Sequence, residues 1–203
     1  DEEYGLYREA VKALGGIPLY TTTANHAVRW NPRGKEGYTL GTGRPLFESW
    51  THENVHFVSL DSTVLLEHWG HISKESLRWL AEDLKRVGRE MPVVIGFHHW
   101  IGRETIQVDN EQELLEVVRP YNVVLWLQGH GHSDIEWNIN GAAATMVKGL
   151  YQGSYNIIDV TDTEMRISKR FVPDPKAKQT QELTRDKSAP ADPLASETRH
   201  VMT

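Results

Sequence analysis

Asparagine or histidine follows three of the short apolar runs of this chain. Asn25 and His26 follow residues 17–21, His98 and His99 follow residues 91–97, and His130 and His132 follow residues 123–127. Imidazole nitrogen and amide oxygen are metal donors, and the chain has no cysteine, so any metal must be held by histidine, carboxylate or amide oxygen. In Gly129-His130-Gly131-His132, an extended backbone would put both imidazoles on one side, roughly 6.6 Å apart along the strand. That spacing would let each ring serve a different ion of a pair about 3.5–4 Å apart, as two-metal hydrolases require. The flanking glycines are expected to give the backbone freedom to turn. Adjacent His98 and His99 should point to opposite sides of an extended chain, so one of them is expected to be a ligand; spacing alone does not choose which.

The elements that must position these residues follow from periodicity. Tyr4, Tyr7, Val11 and Leu14 recur at helical steps and stop at Gly15-Gly16. Residues 17–21 and 55–60 read as strands, and the glycine-rich, polar stretch 29–43 reads as a long surface loop. Ser73 can cap a helix with Leu77, Leu80, Leu84 and Val87 on one face. Runs 91–97 and 123–127 resemble strands buried on both faces, with a helix at 111–118 between them. Residues 135–139 and 143–147 flank Asn140-Gly141, a two-residue hairpin signal, and 155–160 and 164–171 flank a second turn. In open α/β sheets ligands gather beyond the carboxyl ends of the strands, which is where these histidines fall.

The blocks Ala24-Asn25-His26-Ala27, Gly96-Phe97-His98-His99 and Gly129-His130-Gly131-His132 resemble, in order and spacing, the last three motifs of the calcineurin-like metallophosphoesterases. Residues 55–62 (VHFVSLDS) and 77–84 (LRWLAEDL) are similar to the family's passage between its second and third motifs, and the resemblance spans about residues 1–171. It implies an α/β fold, a calcineurin-like two-sheet sandwich flanked by helices (αββα) and incomplete at the N-terminus. It also implies hydrolysis of phosphomonoesters or phosphodiesters by a dinuclear metal-activated hydroxide, with two divalent or trivalent ions (Mn, Fe or Zn). Asn25, His98 and His130 would ligate one ion and His132 the other. His26, unligated, would stabilise phosphoryl charge or protonate the leaving alkoxide, work suited to a group that titrates near neutrality. The family's Asp-x-His and Gly-Asp motifs have no counterpart, which suggests truncation, so the fragment itself is expected to be inactive and marginally stable. Ala24 and Ala27 replace the usual Gly and acidic residue of the Asn-His block, which removes a partner for His26.

Composition narrows the alternatives. The chain has 203 residues, 39% hydrophobic and 25% charged, with a formal charge of −6, and no basic stripe that would neutralise a nucleic-acid backbone. No apolar run could span a bilayer. The implied partner is a small-molecule phosphate ester; compartment and oligomeric state stay open. Residues 1–172 read as the phosphoesterase domain, and residues 173–203, poor in large apolar side chains, as a disordered tail or linker. His52, His56, His68, His71 and His200 read as surface or core histidines, with His68 and His71 placed to touch substrate as the sharper alternative. Trp30, Trp50, Trp69 and Trp100 are candidates for pocket walls or for packing, and Asp61-Ser62 for a turn. Two rivals remain. His130-x-His132-x-Asp134 partly matches a metallo-β-lactamase signature, broken by Ile135. A non-catalytic binding domain on the same scaffold is the other.

Overall fold

The computed structural model describes residues 2–161, 163–172 and 197–201. Six strands form the main sheet: β1 (Glu48–His52), β2 (Val55–Ser59), β3 (Val93–Gly96), β4 (Val123–Gln128), β5 (Ile135–Ile139) and β6 (Ala142–Met146), in spatial order β1-β2-β3-β4-β6-β5. Neighbours β2, β3, β4 and β6 run parallel, while β1 and β5 are antiparallel edges. A second sheet holds β7 (Ser154–Val160), β8 (Glu164–Phe171) and β9 (Glu197–Val201), all antiparallel.

Alternation along the central strands sorts side chains to two cores. Val93 and Ile95 of β3 and Trp126 of β4 face helices α4 (Lys74–Val87) and α5 (Glu111–Val118), where they meet Leu77, Leu80, Leu84, Leu114 and Val118. Val94 and Leu125 face the other way and pack on Met165 and Ile167 of β8. The protein is therefore an α/β fold in which one sheet lies face to face with another and helices cover the outer side of the larger one. An apolar groove of about 310 Å³ is lined by Tyr20, Trp50, Phe57 and Leu127. Tyr20, Trp50 and Phe57 stack there in series.

The helix capped by Ser73 forms as its period predicts, with the Ser73 side chain accepting a hydrogen bond from Ser76 N at 3.1 Å. Both predicted hairpins and the 111–118 helix are present. The structure differs from the sequence reading in four places. Residues 17–21 are extended but join no ladder among the described residues, and Ile17 is 68% exposed. Within the expected loop 29–43 lies α3 (Gly34–Thr42), because its glycines serve packing: a Cβ at Gly37 or Gly41 would collide with Asn31 or with the ring of Tyr4. Strand β1 was not anticipated, since an edge strand reading ESWTH lacks an alternating apolar pattern. Glu197–Val201 falls within the expected tail yet pairs with β8; residues 173–196 lie outside the described residues.

Candidate metal centre

The parallel strands β2, β3 and β4 bring their carboxyl ends to one rim, and backbone hydrogen bonds lace them beyond the strands themselves. Leu60 N donates to Gly96 O at 2.9 Å, Phe97 N to Leu127 O at 3.1 Å, and Gly129 N to His98 O at 2.9 Å. His98 and His130 therefore stand on adjoining tips. Asn25 arrives from another part of the chain, at the start of α2 (Asn25–Arg29), a helix of five residues with no side-chain cap. Its approach is held by side chains: Thr22 Oγ1 donates to Leu60 O at 2.8 Å, and Thr23 Oγ1 to Asp61 Oδ1 at 2.5 Å.

These supports place three donors together. Asn25, 1% exposed, has Oδ1 2.9 Å from His98 Nε2, which is 3.1 Å from His130 Nδ1. Ligands about 2.1 Å from one ion at near-right angles are about 3 Å from each other, so these spacings fit a shared ion. The same separations are hydrogen-bonding distances. Asn25 Nδ2 donates to His68 Nδ1 at 3.1 Å, which leaves the amide oxygen for the histidine cluster.

His99 has ring nitrogens within 4.8 Å of those of His98 and His130, but both are already engaged. Nε2 donates to His68 O at 2.9 Å, so Nδ1 accepts from Ser62 Oγ at 2.8 Å, and the residue is fully buried. The two adjacent rings thus face different neighbours: His98 meets Asn25 Oδ1 and His130, and His99 faces the loop that carries His68. Gly70 leaves room for it, since a Cβ there would meet the His99 ring at 2.6 Å.

The Gly129–His132 turn differs from the extended segment expected. His130 and His132 themselves adopt the left-handed region, at φ 68° and 46°, whereas Gly129 and Gly131 do not. Such conformations are uncommon for side-chain-bearing residues and persist where surroundings enforce them. The glycines contribute clearance: a Cβ at Gly131 would lie 2.9 Å from Met146 Sδ and 3.0 Å from the Trp100 ring. His132 is exposed, with Nδ1 3.1 Å from the Tyr151 hydroxyl. Asp134 Oδ1 accepts from Ser154 Oγ at 2.7 Å and Lys148 N at 3.0 Å, which anchors the turn to β7. Burial pushes that carboxyl up, but these hydrogen bonds and the charges of Lys169 and Lys148 outweigh it and hold it below the usual range.

Burial is the main cause that pushes His98 down to about 3, with His99, His130, His132 and His26 adding to it. His99 is lowered to about 4 by burial and by His130, against raising contacts from His68, Asp61 and Ser62. His130 is lowered by burial and then by His68, His132 and His26. His98 and His99 are therefore neutral near pH 7, the state in which a ring nitrogen offers a lone pair to a metal, and His130 is shifted in the same direction. His26 and His132 act electrostatically on both His98 and His130.

His26 lies on the exposed side of α2, edge-on to Trp30 with ring centroids 5.2 Å apart. His68 belongs to the rim through Asn25. Asp61, read as a turn residue, is a buried hub: Oδ1 accepts from Thr23, Thr63 N and Thr63 Oγ1, and Oδ2 from Lys35 Nζ at 2.6 Å. The Asp-Ser pair at the end of a predicted strand was the signal for both Asp61 and Ser62, since it lies beside the histidine tips in an open sheet. His56 is a core residue, 2.7 Å from Asp83 and 2.9 Å from Thr51 Oγ1. His71 pairs with Asp109 at the surface, at 2.7 Å.

No family model matches the chain. Over 160 residues it is 31% identical to "Probable glycerophosphodiester phosphodiesterase GpdQ" of Arcobacter nitrofigilis, covering 68% of this chain and 54% of that protein. Over 96 residues it is 34% identical to a 3',5'-cyclic-nucleotide phosphodiesterase of Nostoc sp., covering 43% of this chain and 35% of that protein. The chain thus spans about half or less of the length of these curated relatives. Among solved structures, a chain assigned as a 5'-nucleotidase from Staphylococcus aureus aligns with TM-score 0.45 and 12% identity, covering 73% of this chain and 33% of that one.

Proposed function

We propose that this chain, which belongs to the calcineurin-like metallophosphoesterases, carries the imidazole-rich side of a metal centre that hydrolyses phosphate esters, phosphodiesters foremost. One observation carries the reading: Asn25 Oδ1, His98 Nε2 and His130 Nδ1 converge at ligand spacing on the rim of a parallel sheet. The names of both curated relatives favour diesters over monoesters.

In this reading Asn25, His98 and His130 hold one ion and His132 serves a second, the pair being drawn from Mn, Fe and Zn. Bound ions of this kind lower the pKa of water from 15.7 to about 7 and offset charge on phosphoryl oxygens. The chain's own residues do the rest. Ser62 and His99 fix the backbone of the His68 loop, and Asp61 fixes the approach to Asn25. His26, unligated and open to solvent, would stabilise the phosphoryl group or give a proton to the leaving alkoxide oxygen. Asp134, the residue that a metallo-β-lactamase reading would make a ligand, has Oδ1 occupied by Ser154 and Lys148 N, which disfavours that alternative.

Calorimetric titration of the 203-residue chain with Mn²⁺, beside an assay with bis(p-nitrophenyl) phosphate, tests this. One ion is expected to bind, with little turnover, because only His132 of the named ligands remains for a second. Robust Mn-dependent hydrolysis by this chain alone would refute the ligand assignment. A complete gene product that binds metal yet leaves phosphodiesters and monoesters intact would favour the non-catalytic binding domain.

A further inference from the structure

His132 stands on a turn rather than on a strand tip, since β4 ends at Gln128 and β5 begins at Ile135. An exposed imidazole in such a place rotates about its side-chain bonds unless a neighbour holds it, and ligation requires a fixed ring. The neighbour is Tyr151. Its hydroxyl lies 3.1 Å from His132 Nδ1, and the two rings meet edge to face, with centroids 5.6 Å apart and planes at 76°. Packing does not account for this tyrosine, because it is 78% exposed. Both ends of the loop that carries it are tied to the His132 turn. Lys148 N and Ser154 Oγ donate to the same atom, Oδ1 of Asp134, at 3.0 and 2.7 Å. Between them Gln152 N donates to Gly149 O at 2.7 Å, Gly153 N to Leu150 O at 2.8 Å, and Gly149 N to Gln152 Oε1 at 3.0 Å. Gly149 supplies clearance: a Cβ there would overlap the Tyr151 ring, although its backbone, at φ −58°, would accept a side chain. Asp134 clasps the turn and the loop together, and glycine at 149 lets the phenol lie where it meets His132.

A phenol both donates and accepts, so the contact by itself allows either tautomer of the imidazole. Ligation selects one. A histidine that binds a metal through one ring nitrogen donates the proton of the other to a partner, which fixes the tautomer and the ring plane. With Nδ1 engaged by Tyr151, the ligating atom is Nε2: Nδ1–H donates to the phenolic oxygen, whose own proton turns to solvent. We propose that Tyr151 is a positioning residue for His132, orienting its ring and fixing the tautomer that leaves the Nε2 lone pair for a metal ion. The role rests on the reading of His132 as a ligand; the pairing itself rests on the contact geometry alone.

Long-range proton–nitrogen NMR of the chelator-treated 203-residue chain, labelled at histidine, reads the tautomer directly. In mildly alkaline buffer, which keeps imidazole neutral, His132 is expected as the Nδ1–H form. Tyr151→Phe keeps the ring and removes the oxygen, and should move His132 toward the Nε2–H form while leaving unfolding stability unchanged. Gly149→Ala keeps the oxygen and displaces the ring, and should move the tautomer the same way. Zn²⁺ added beyond the first equivalent and followed at the His132 resonances should be needed at roughly tenfold higher concentration in either variant, the lower end of the effect of such outer partners. His98 and His130 should respond to Zn²⁺ alike in all three proteins. An Nε2–H tautomer at His132 in the parent chain, or a tautomer and Zn²⁺ response that Tyr151→Phe leaves unchanged, would overturn the proposal and leave the metal reading in place. A Tyr151-dependent tautomer with no Zn²⁺ response at His98, His130 or His132 would instead overturn the metal reading, and the positioning role with it.

Discussion

His98 and His130 reach the rim in a different way from Asn25. The two histidines extend directly from β3 and β4, whose ladder continues through Phe97 N to Leu127 O and Gly129 N to His98 O, above a core containing Ile95, Phe97 and Trp126. Asn25 sits on a short uncapped helix, reached by a segment that joins no ladder among the described residues. Its anchors are polar side chains: Thr22 to Leu60 O, Thr23 to Asp61, Ser59 to Thr21 O and Lys35 to Asp61. Single hydrogen bonds of this kind contribute about 0.5–1.5 kcal/mol each, whereas a strand tip shares the cooperativity of the sheet. The candidate metal centre therefore has a rigid side and a tethered side, and the tethered side depends on polar side-chain anchors in place of a sheet ladder.

Substitutions can break this contrast in order of severity. His98→Ala removes the donor common to both short contacts and should lower Mn²⁺ affinity by more than about 100-fold, beyond the 10–100-fold typical of outer partners; calorimetry reads this directly. Asp61→Ala should cost about 3–5 kcal/mol in denaturant unfolding, because it leaves buried donors and Lys35 without their partner. It should also weaken the ion roughly 10–100-fold, while Asp61→Asn keeps one acceptor and loses less. If Asp61→Ala left ion affinity unchanged, the tethered side would not be what positions Asn25.

Acid should act on the rigid side. Burial holds His98 at about 3 and His99 at about 4, both below the unfolded value of about 6.5. Between those values the unfolded chain binds protons that the folded chain does not, so stability falls as pH drops through this window. For the chelator-treated protein the loss should reach on the order of 2 kcal/mol per histidine by pH 5, and flat stability between pH 7 and 5 would contradict it. The smallest effect is expected at Ser62→Ala, about 1–3 kcal/mol for a buried His99 nitrogen left unpaired, with ion affinity changed less than in Asp61→Ala.

Legibility followed the same division. Leu77, Leu80 and Leu84 at helical spacing, the apolar runs of β3 and β4 and the Asn140-Gly141 turn are local signals, and the structure follows each. The rim itself was legible because parallel strands must place their carboxyl ends together. Residues 34–42 were not, since glycines that normally break helices here make room for Asn31 and for Tyr4 of α1 (Glu2–Val11), contacts that exist only once the helices pack. Nor was β9, whose pairing with β8 joins segments far apart along the chain.

The order of apolar runs and the residue types at their ends, Asn25, His98, His130 and His132, were set by the sequence, because period and hydrophobicity act over a few neighbouring residues. Which imidazole of an adjacent pair faces Asn25 and His130 was decided by the tertiary structure, through Ser62 and the His68 carbonyl taking both nitrogens of His99. The same holds for Asp61 as a hub and for the left-handed turn at His130 and His132. These outcomes depend on groups brought together only when the sheet is assembled, and no local pattern encodes such contacts.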